Sequence, residues 1–236
     1  MNGRTVTAAL VATLAGMAVS ACGSEDSGPN LSPLGPEVTP PSTTGAAAVP
    51  DSPTLRSDLL AASQLPAGYT ALPDPEPGDG GAAEGVDPKQ CAKVLAPIAE
   101  QSPNAVSRAV AQFEGTNFTS IDIDAAGYAN GAAAQAFSAA QSVLRECTRY
   151  TSTASDQTTV EFRLGGLQQP TIGDASTAFT VDTASEGVTL HTAVSLTLVG
   201  STVVQVALTA PEEPDPQQLS AVTAAQVRKL QGIAGP

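Results

Sequence analysis

Two kinds of apolar spacing alternate along this chain. Over residues 118–124, Ile121 and Ile123 are apolar and face inward, while Ser120, Asp122 and Asp124 are polar and face outward. A period of two predicts a half-buried strand. The pattern returns at 158–164, where Val160, Phe162 and Leu164 alternate with Thr159, Glu161 and Arg163, and again at 176–183 with Phe179 and Val181. A longer run sets Val188, Leu190, Thr192, Val194, Leu196 and Leu198 on one face, and 202–209 follows after Gly200-Ser201. Gly first in a two-residue connection predicts a type II′ hairpin, so the last three strands read as an antiparallel meander. Gly165-Gly166 predicts a turn after the second strand.

Spacings of three and four mark the helices. Phe137, Ala140, Leu144 and Cys147 share one face of a helix over 131–147. Leu219, Val222, Gln226, Leu230 and Ile233 stripe a C-terminal helix that begins at Asp215-Pro216, an N-cap followed by Pro at the first helical position. Arg228 and Lys229 near its end suit the helix dipole. Asp87-Pro88 predicts another helix start, with Cys91, Val94, Leu95 and Ile98 on one face and Pro97 as a kink or stop. Residues 104–113 put Val106, Ala109, Val110 and Phe113 on one side and predict its continuation. Ser57-Asp58 before Leu59-Leu60 predicts a short capped helix within 54–62, and 73–85 reads as a Pro/Gly/acid loop. No internal repeat is present. The expected fold is α+β: an antiparallel sheet of about five strands with helices packed mainly on one face.

The N-terminus carries an address. One positive charge, Arg4, precedes an uncharged apolar run over 5–18. That is the length of a signal-peptide core and falls short of the ~20 residues of a spanning helix. The junction Val19-Ser20-Ala21-Cys22 resembles the bacterial lipobox, in which the Cys thiol receives a diacylglyceryl group and becomes residue one of the mature chain. The expected organisation is a signal peptide over 1–21, lipidated Cys22 with a flexible linker over 22–53, and a folded domain over 54–236. Pro29, Pro33, Pro36, Pro40, Pro41, Pro50 and Pro53 interrupt the linker, whose composition favours a free tether reaching tens of ångströms.

Composition narrows the partners. Ten Lys and Arg face 23 Asp and Glu, for a net charge of −13. Such an excess excludes a nucleic-acid binder, which needs clustered cations. It also excludes docking on anionic lipid by charge alone, so the membrane partnership rests on lipid at Cys22. There is no Trp, and Phe and Tyr number only five and three, so the core is built from Ala, Val, Leu and Ile. With Cys22 acylated, Cys91 and Cys147 remain as an even pair in an oxidising compartment, and a disulfide is the natural reading. The alternative is a metal site, but two Cys and the single His191 make a poor ligand set.

Several features in order resemble the extracellular sensor domain of PknH-type serine/threonine kinases, a domain also carried by actinobacterial lipoproteins. They are Asp58-Leu59-Leu60, then Leu65-Pro66-Ala67-Gly68-Tyr69, a Cys near the first long helix, and Tyr128 leading into an Ala-rich helix that ends at Cys147. Gly173-Asp174-Ala175, the strands joined across 198–204, and a helix after Pro214-Asp215-Pro216 follow. The match spans about 54–236. It implies an envelope domain with a cleft for a ligand or partner. That family typically has two disulfides, whereas this chain allows one. No kinase motif is present.

Candidate chemistry is sparse. There is no Gly-x-Ser-x-Gly elbow. His191 stands on the polar register of the long strand and reads as a surface residue. Asp122 and Asp124 lie two apart on one strand face, about 7 Å from each other, with Glu161 and Arg163 as prospective cross-strand partners. Three functions follow from these residues. The first is a non-enzymatic sensor or binding module for a ligand or envelope protein, without catalytic, cofactor-binding or metal-ligating residues, on the outer face of the cell membrane or in the periplasmic space. The second is an envelope enzyme using Asp122, Asp124 and Glu161. The third is a lipid carrier with an apolar cavity.

Overall fold

One antiparallel sheet of nine strands organises the computed structural model, which describes residues 31–41, 48–74 and 85–233. The signal peptide, Cys22, the rest of the linker and most of the loop at 73–85 lie outside the described residues. In chain order the elements are α1 (Ser52–Ser57), β1 (Thr70–Ala71), β2 (Val86–Asp87), α2 (Ile98–Gln101), β3 (Ala105–Glu114), β4 (Ser120–Tyr128), α3 (Ala132–Glu146), β5 (Arg149–Thr153), β6 (Thr159–Leu167), β7 (Ala175–Ser185), β8 (Val188–Val199), β9 (Thr202–Ala210) and α4 (Pro216–Leu230). Two 3₁₀ turns, Ala62–Gln64 and Lys89–Lys93, complete the set. The strands lie in the order β1-β3-β4-β9-β8-β7-β6-β5-β2. The predicted meander is β7-β8-β9, closed by pairing of Val199 with Thr202 around Gly200, whose φ is +58°.

The central strands are buried on both faces. Residues 192–198 of β8 and 202–208 of β9 are buried without a break. Register sorts their side chains. Ala193, Val204, Val206, Leu208, Ile121, Ile123 and Phe113 point to one face, where Leu55 of α1 and Leu219 and Val222 of α4 cover them. Leu196, Leu198, Val203, Ala126 and Tyr128 point to the other, under Ile98 of α2 and Ala133, Ala136, Phe137 and Ala140 of α3. Helices therefore cover both faces, which corrects the expectation of one. The reason lies in the sequence of β9, Val203-Val204-Gln205-Val206-Ala207-Leu208, a near-continuous apolar run rather than an alternating one.

Four strands were not anticipated: β1, β2, β3 and β5. β3 occupies 105–114, where spacing suggested a helix. Its burial alternates instead, with Ser107, Ala109, Ala111 and Phe113 inward and Val106 exposed. Alanines fit either period, and pairing with β4 along nearly its whole length decides the outcome. Gly165-Gly166 does not turn the chain; both lie within β6. Asp87-Pro88 starts a 3₁₀ turn rather than a long helix, and Leu95 is exposed. α1 is capped by Asp51, which accepts from the Thr54 N–H, with Pro in its first turn. Asp58 ends that helix instead of starting one.

The linker expected to be free is in part a strap on the domain. Register along β5 stops at Arg149 opposite Arg163, so β6 continues beyond its neighbour. Into that place comes residue 32: the Gly166 N–H donates to the Ser32 carbonyl at 2.7 Å. Leu34 packs against the cluster holding Cys91 and Cys147, and Val38 against the one holding Phe137. Farther on, the Ser201 hydroxyl donates to the Ala48 carbonyl.

Cys91, in the 3₁₀ turn, is bonded to Cys147, the residue that ends α3, across 56 positions. In the loop-entropy account a closure of that size contributes roughly 4 kcal/mol. The double substitution Cys91→Ser/Cys147→Ser is expected to lower unfolding stability by roughly 3–5 kcal/mol, as read from urea unfolding curves fitted with a separate m-value for each chain. An unchanged unfolding free energy would count against the bridge as a stabilising element.

Candidate functional site

Three places bring chemistry-bearing residues together. The first is a half-open cavity of about 320 Å³ between α1, the Ala62–Gln64 turn and the edge formed by β1 and β3. Leu59, Leu60 and Phe113 give it apolar walls, with Leu72 at the surface. Two cations stand in its lining. Arg56 is paired with Asp74. Lys229, from the last turn of α4, donates its ammonium to the Leu59 carbonyl and to Gln64 Oε1 at 3.0 Å. An ammonium has three N–H donors. Lys229 thus meets two neutral oxygens and, among the described residues, no carboxylate.

The second is the carboxylate pair of β4. Both side chains point to the α2/α3 face by register. Asp122 is half-buried; it accepts from the Ser120 hydroxyl at 2.9 Å and the Gln112 amide at 3.1 Å. Burial raises its pKa, against those two hydrogen bonds. Asp124 was expected to point to solvent, yet it is buried beneath α2 and accepts the Ile98 N–H at 3.0 Å. Burial pushes its pKa up to about 7; the Ile98 N–H opposes this, Glu100 adds to it and Arg108 subtracts. The Tyr128 hydroxyl donates to the Ile98 carbonyl at 3.2 Å, so the first residue of α2 is held at both its N–H and its carbonyl.

Glu161 does not join them. It lies on β6, three strands beyond β4's neighbour position, with β9, β8 and β7 between. At about 4.8 Å per strand that is on the order of 19 Å. Its register also places it on the opposite face, so neither Glu161 nor Arg163 meets Asp122 or Asp124. The catalytic trio suggested by residue type is not assembled.

The third place is on β7 and β8, where His191 Nδ1 lies 2.7 Å from Asp182 Oδ1. Asp182 is buried and His191 half-buried, so the imidazole is a tethered group rather than a bare surface residue. Arg163 stands opposite Asp182 in register, and one row across β6, β7 and β8 thus reads Arg, Asp, His. The described residues hold no group of three or more His, Cys, Asp and Glu arranged for a metal ion. No described helix is long and apolar enough to cross a membrane.

No protein-family model matches the chain, and no curated protein matches it. Among solved structures, the extracellular domain of PknH from Mycobacterium tuberculosis is similar at a TM-score of 0.56 and 14% identity, over 80% of this chain and 98% of that one. An uncharacterised protein from Mycobacterium smegmatis, the Rv0999 ortholog, follows at a TM-score of 0.37 and 15% identity, over 69% and 85%. The chain thus shares its fold with the PknH extracellular domain.

The pKa of Asp124 has a sign consequence. An acid whose folded pKa lies above its unfolded value of about 3.9 binds more protons folded than unfolded between pH 4 and 7, so it costs stability as pH rises through that window. Relative to Asp124→Asn, the parent chain is expected to lose stability from pH 4 to pH 7, by up to the order of 4 kcal/mol at about 1.4 kcal/mol per pKa unit. Denaturation midpoints of both chains at three pH values check this; parallel curves would contradict a buried, proton-holding carboxyl.

Proposed function

We propose that this chain is a non-enzymatic extracytoplasmic binding or sensing module, held to the outer face of the cell membrane by a diacylglyceryl group on Cys22. The cavity beside β1 and α1 carries the reading. It is a half-open apolar pocket with one cation that meets no carboxylate among the described residues, in a protein with net charge −13. Small-ligand sites typically hold 300–1,000 Å³ and a few placed polar groups. This one sits at the low end, so it suits one small molecule with an apolar body and an anionic end, not a diacyl lipid. The resemblance in fold to an extracellular domain supports the address, and the scattered carboxylates weigh against the enzyme reading. A charge-neutral lipid attachment agrees with the acidic surface, since a polybasic anchor is absent from the sequence.

Cys22→Ser is expected to abolish fatty-acid labelling and detergent-phase partitioning of the full chain. Retained labelling would overturn the anchor. For the pocket, native mass spectrometry of the chain taken from its own envelope is expected to show a small adduct that Lys229→Gln, which removes the charge but keeps N–H donors, loses while the chain stays folded. An adduct indifferent to Lys229→Gln would place the ligand elsewhere.

A further inference from the structure

The strap over 31–38 is held by its main chain. Its four polar contacts among the described residues all go to its main chain. Gly166 N–H donates to the Ser32 carbonyl at 2.7 Å. Arg145 donates to the Gly35 carbonyl at 2.7 Å. The Gln141 side-chain amide receives the Val38 N–H at 2.8 Å and donates to the Val38 carbonyl at 2.9 Å. Gln141 is 3% exposed, and its amide is spent on this one residue. Among the described residues no side chain of the strap makes a polar contact in return; its own contribution is Leu34 and Val38, seated in two separate apolar clusters.

The receiving surface is shaped for a backbone. A Cβ on Gly166 would come within 2.2 Å of the Pro33 carbonyl oxygen and 3.0 Å of the Leu34 Cα. A Cβ on Gly165 would meet Leu31 Cβ at 2.7 Å. Two adjacent glycines inside a strand weaken it unless something approaches closely. Here the approaching chain is the strap, laid on the stretch of β6 that β5 leaves open. A main chain that crosses the β6 edge at two glycines with one hydrogen bond to it, two side chains that bond main chain, and two apolar sockets are parts from which recognition of an extended peptide can be built.

We propose that this trough, formed by Gly165, Gly166, Gln141 and Arg145, is a recognition site for an extended peptide segment of a partner protein. The chain's own residues 31–38 occupy it as an intramolecular competitor. Because the polar contacts read main chain, the partner needs an extended backbone with apolar side chains four residues apart, matching Leu34 and Val38, and tolerates change elsewhere. The site is separate from the cavity at β1 and α1 and does not rest on the ligand assigned there.

The test uses the full chain. In Gly166→Val the added side chain is expected to evict the strap. Amide hydrogen exchange at Leu34–Val38 should then rise at least tenfold, while β8 and β9 keep their protection. Against the parent chain, a fluorescent peptide covering residues 31–41 should bind weakly, because the site is filled. Against a chain with a protease site at 43–46, cut after folding, it should exchange in at least tenfold more tightly. Replacing Glu37 in the peptide should leave this binding within threefold, whereas Leu34→Asp or an N-methyl group on Val38 should each weaken it at least tenfold. Several results would overturn the proposal. Gly166→Val unfolding the sheet would make the strap a core element. A cut chain that never exchanges the peptide, or binding indifferent to Leu34→Asp, would deny recognition. Exchange only between whole copies, as dimers, would restrict the trough to the chain's own strap.

Discussion

Two-sided burial of the central strands is the constraint from which the remaining architecture follows. β4, β9 and β8 carry apolar side chains up and down, so each face needs a cover. The chain offers little to cover them with. Its two long helices have 15 residues each, and α1 and α2 are single or double turns. The Ala-rich inner face of α3 lets that helix lie close to the sheet. The disulfide fixes its C-terminal end, and the strap fills the strip between α3 and the β6 edge. On the other face α4 works with α1 and the apolar Leu59, Leu60 and Leu65 that follow it.

Polar groups inside the molecule are mostly clasps between segments. Gln226, fully buried, receives the Leu60 N–H at 2.9 Å and donates to the Asp58 carbonyl at 2.8 Å. Gln101 donates to the Ala96 carbonyl and to Gln205, pinning α2 on β9. Asp124 and Tyr128 hold Ile98. At Gln226, Asp124, Tyr128 and Gln141 the same device recurs: a buried side chain satisfies a main-chain group from a distant segment. Buried donors and acceptors are costly unless paired, so each clasp specifies which segment may sit there. Asp124 carries an added burden, since it must hold a proton or a desolvated charge.

What could be read beforehand followed strong periodicity. α3, α4 and the β7-β8-β9 meander were legible because Phe137, Ala140 and Leu144, or Leu219 and Val222, repeat over many turns, and because Gly200-Ser201 is a specific turn. β3 was not legible: Ala105, Ala109 and Ala111 satisfy helix and strand patterns alike, and only pairing with β4 separates them. β1, β2 and β5 are short, and their pairing partners lie far along the chain. The strap escaped because Pro and Ser suggest solvation, while its sockets belong to residues 141–166. The pocket was likewise invisible: Lys229 and Leu59 are remote in sequence, and nothing local marks Lys229 as anything beyond a helix-end cation. The carboxylates of β4 were found, but their facing was half wrong, because alternation alone cannot show that a second layer covers the outer side.

The clasps also say when the molecule can fold. Val38 waits for Gln141, 103 positions later, and Leu60 for Gln226, 166 positions later. A polypeptide emerging N-terminus first would therefore carry Val38 bare until α3 arrives and Leu60 bare until α4 does. Contacts of such long range slow folding and leave apolar strands exposed in the interval. The two locks therefore close in turn, and a product that stops short of Gln226 would keep the clasp on Val38 but lack the one on Leu60.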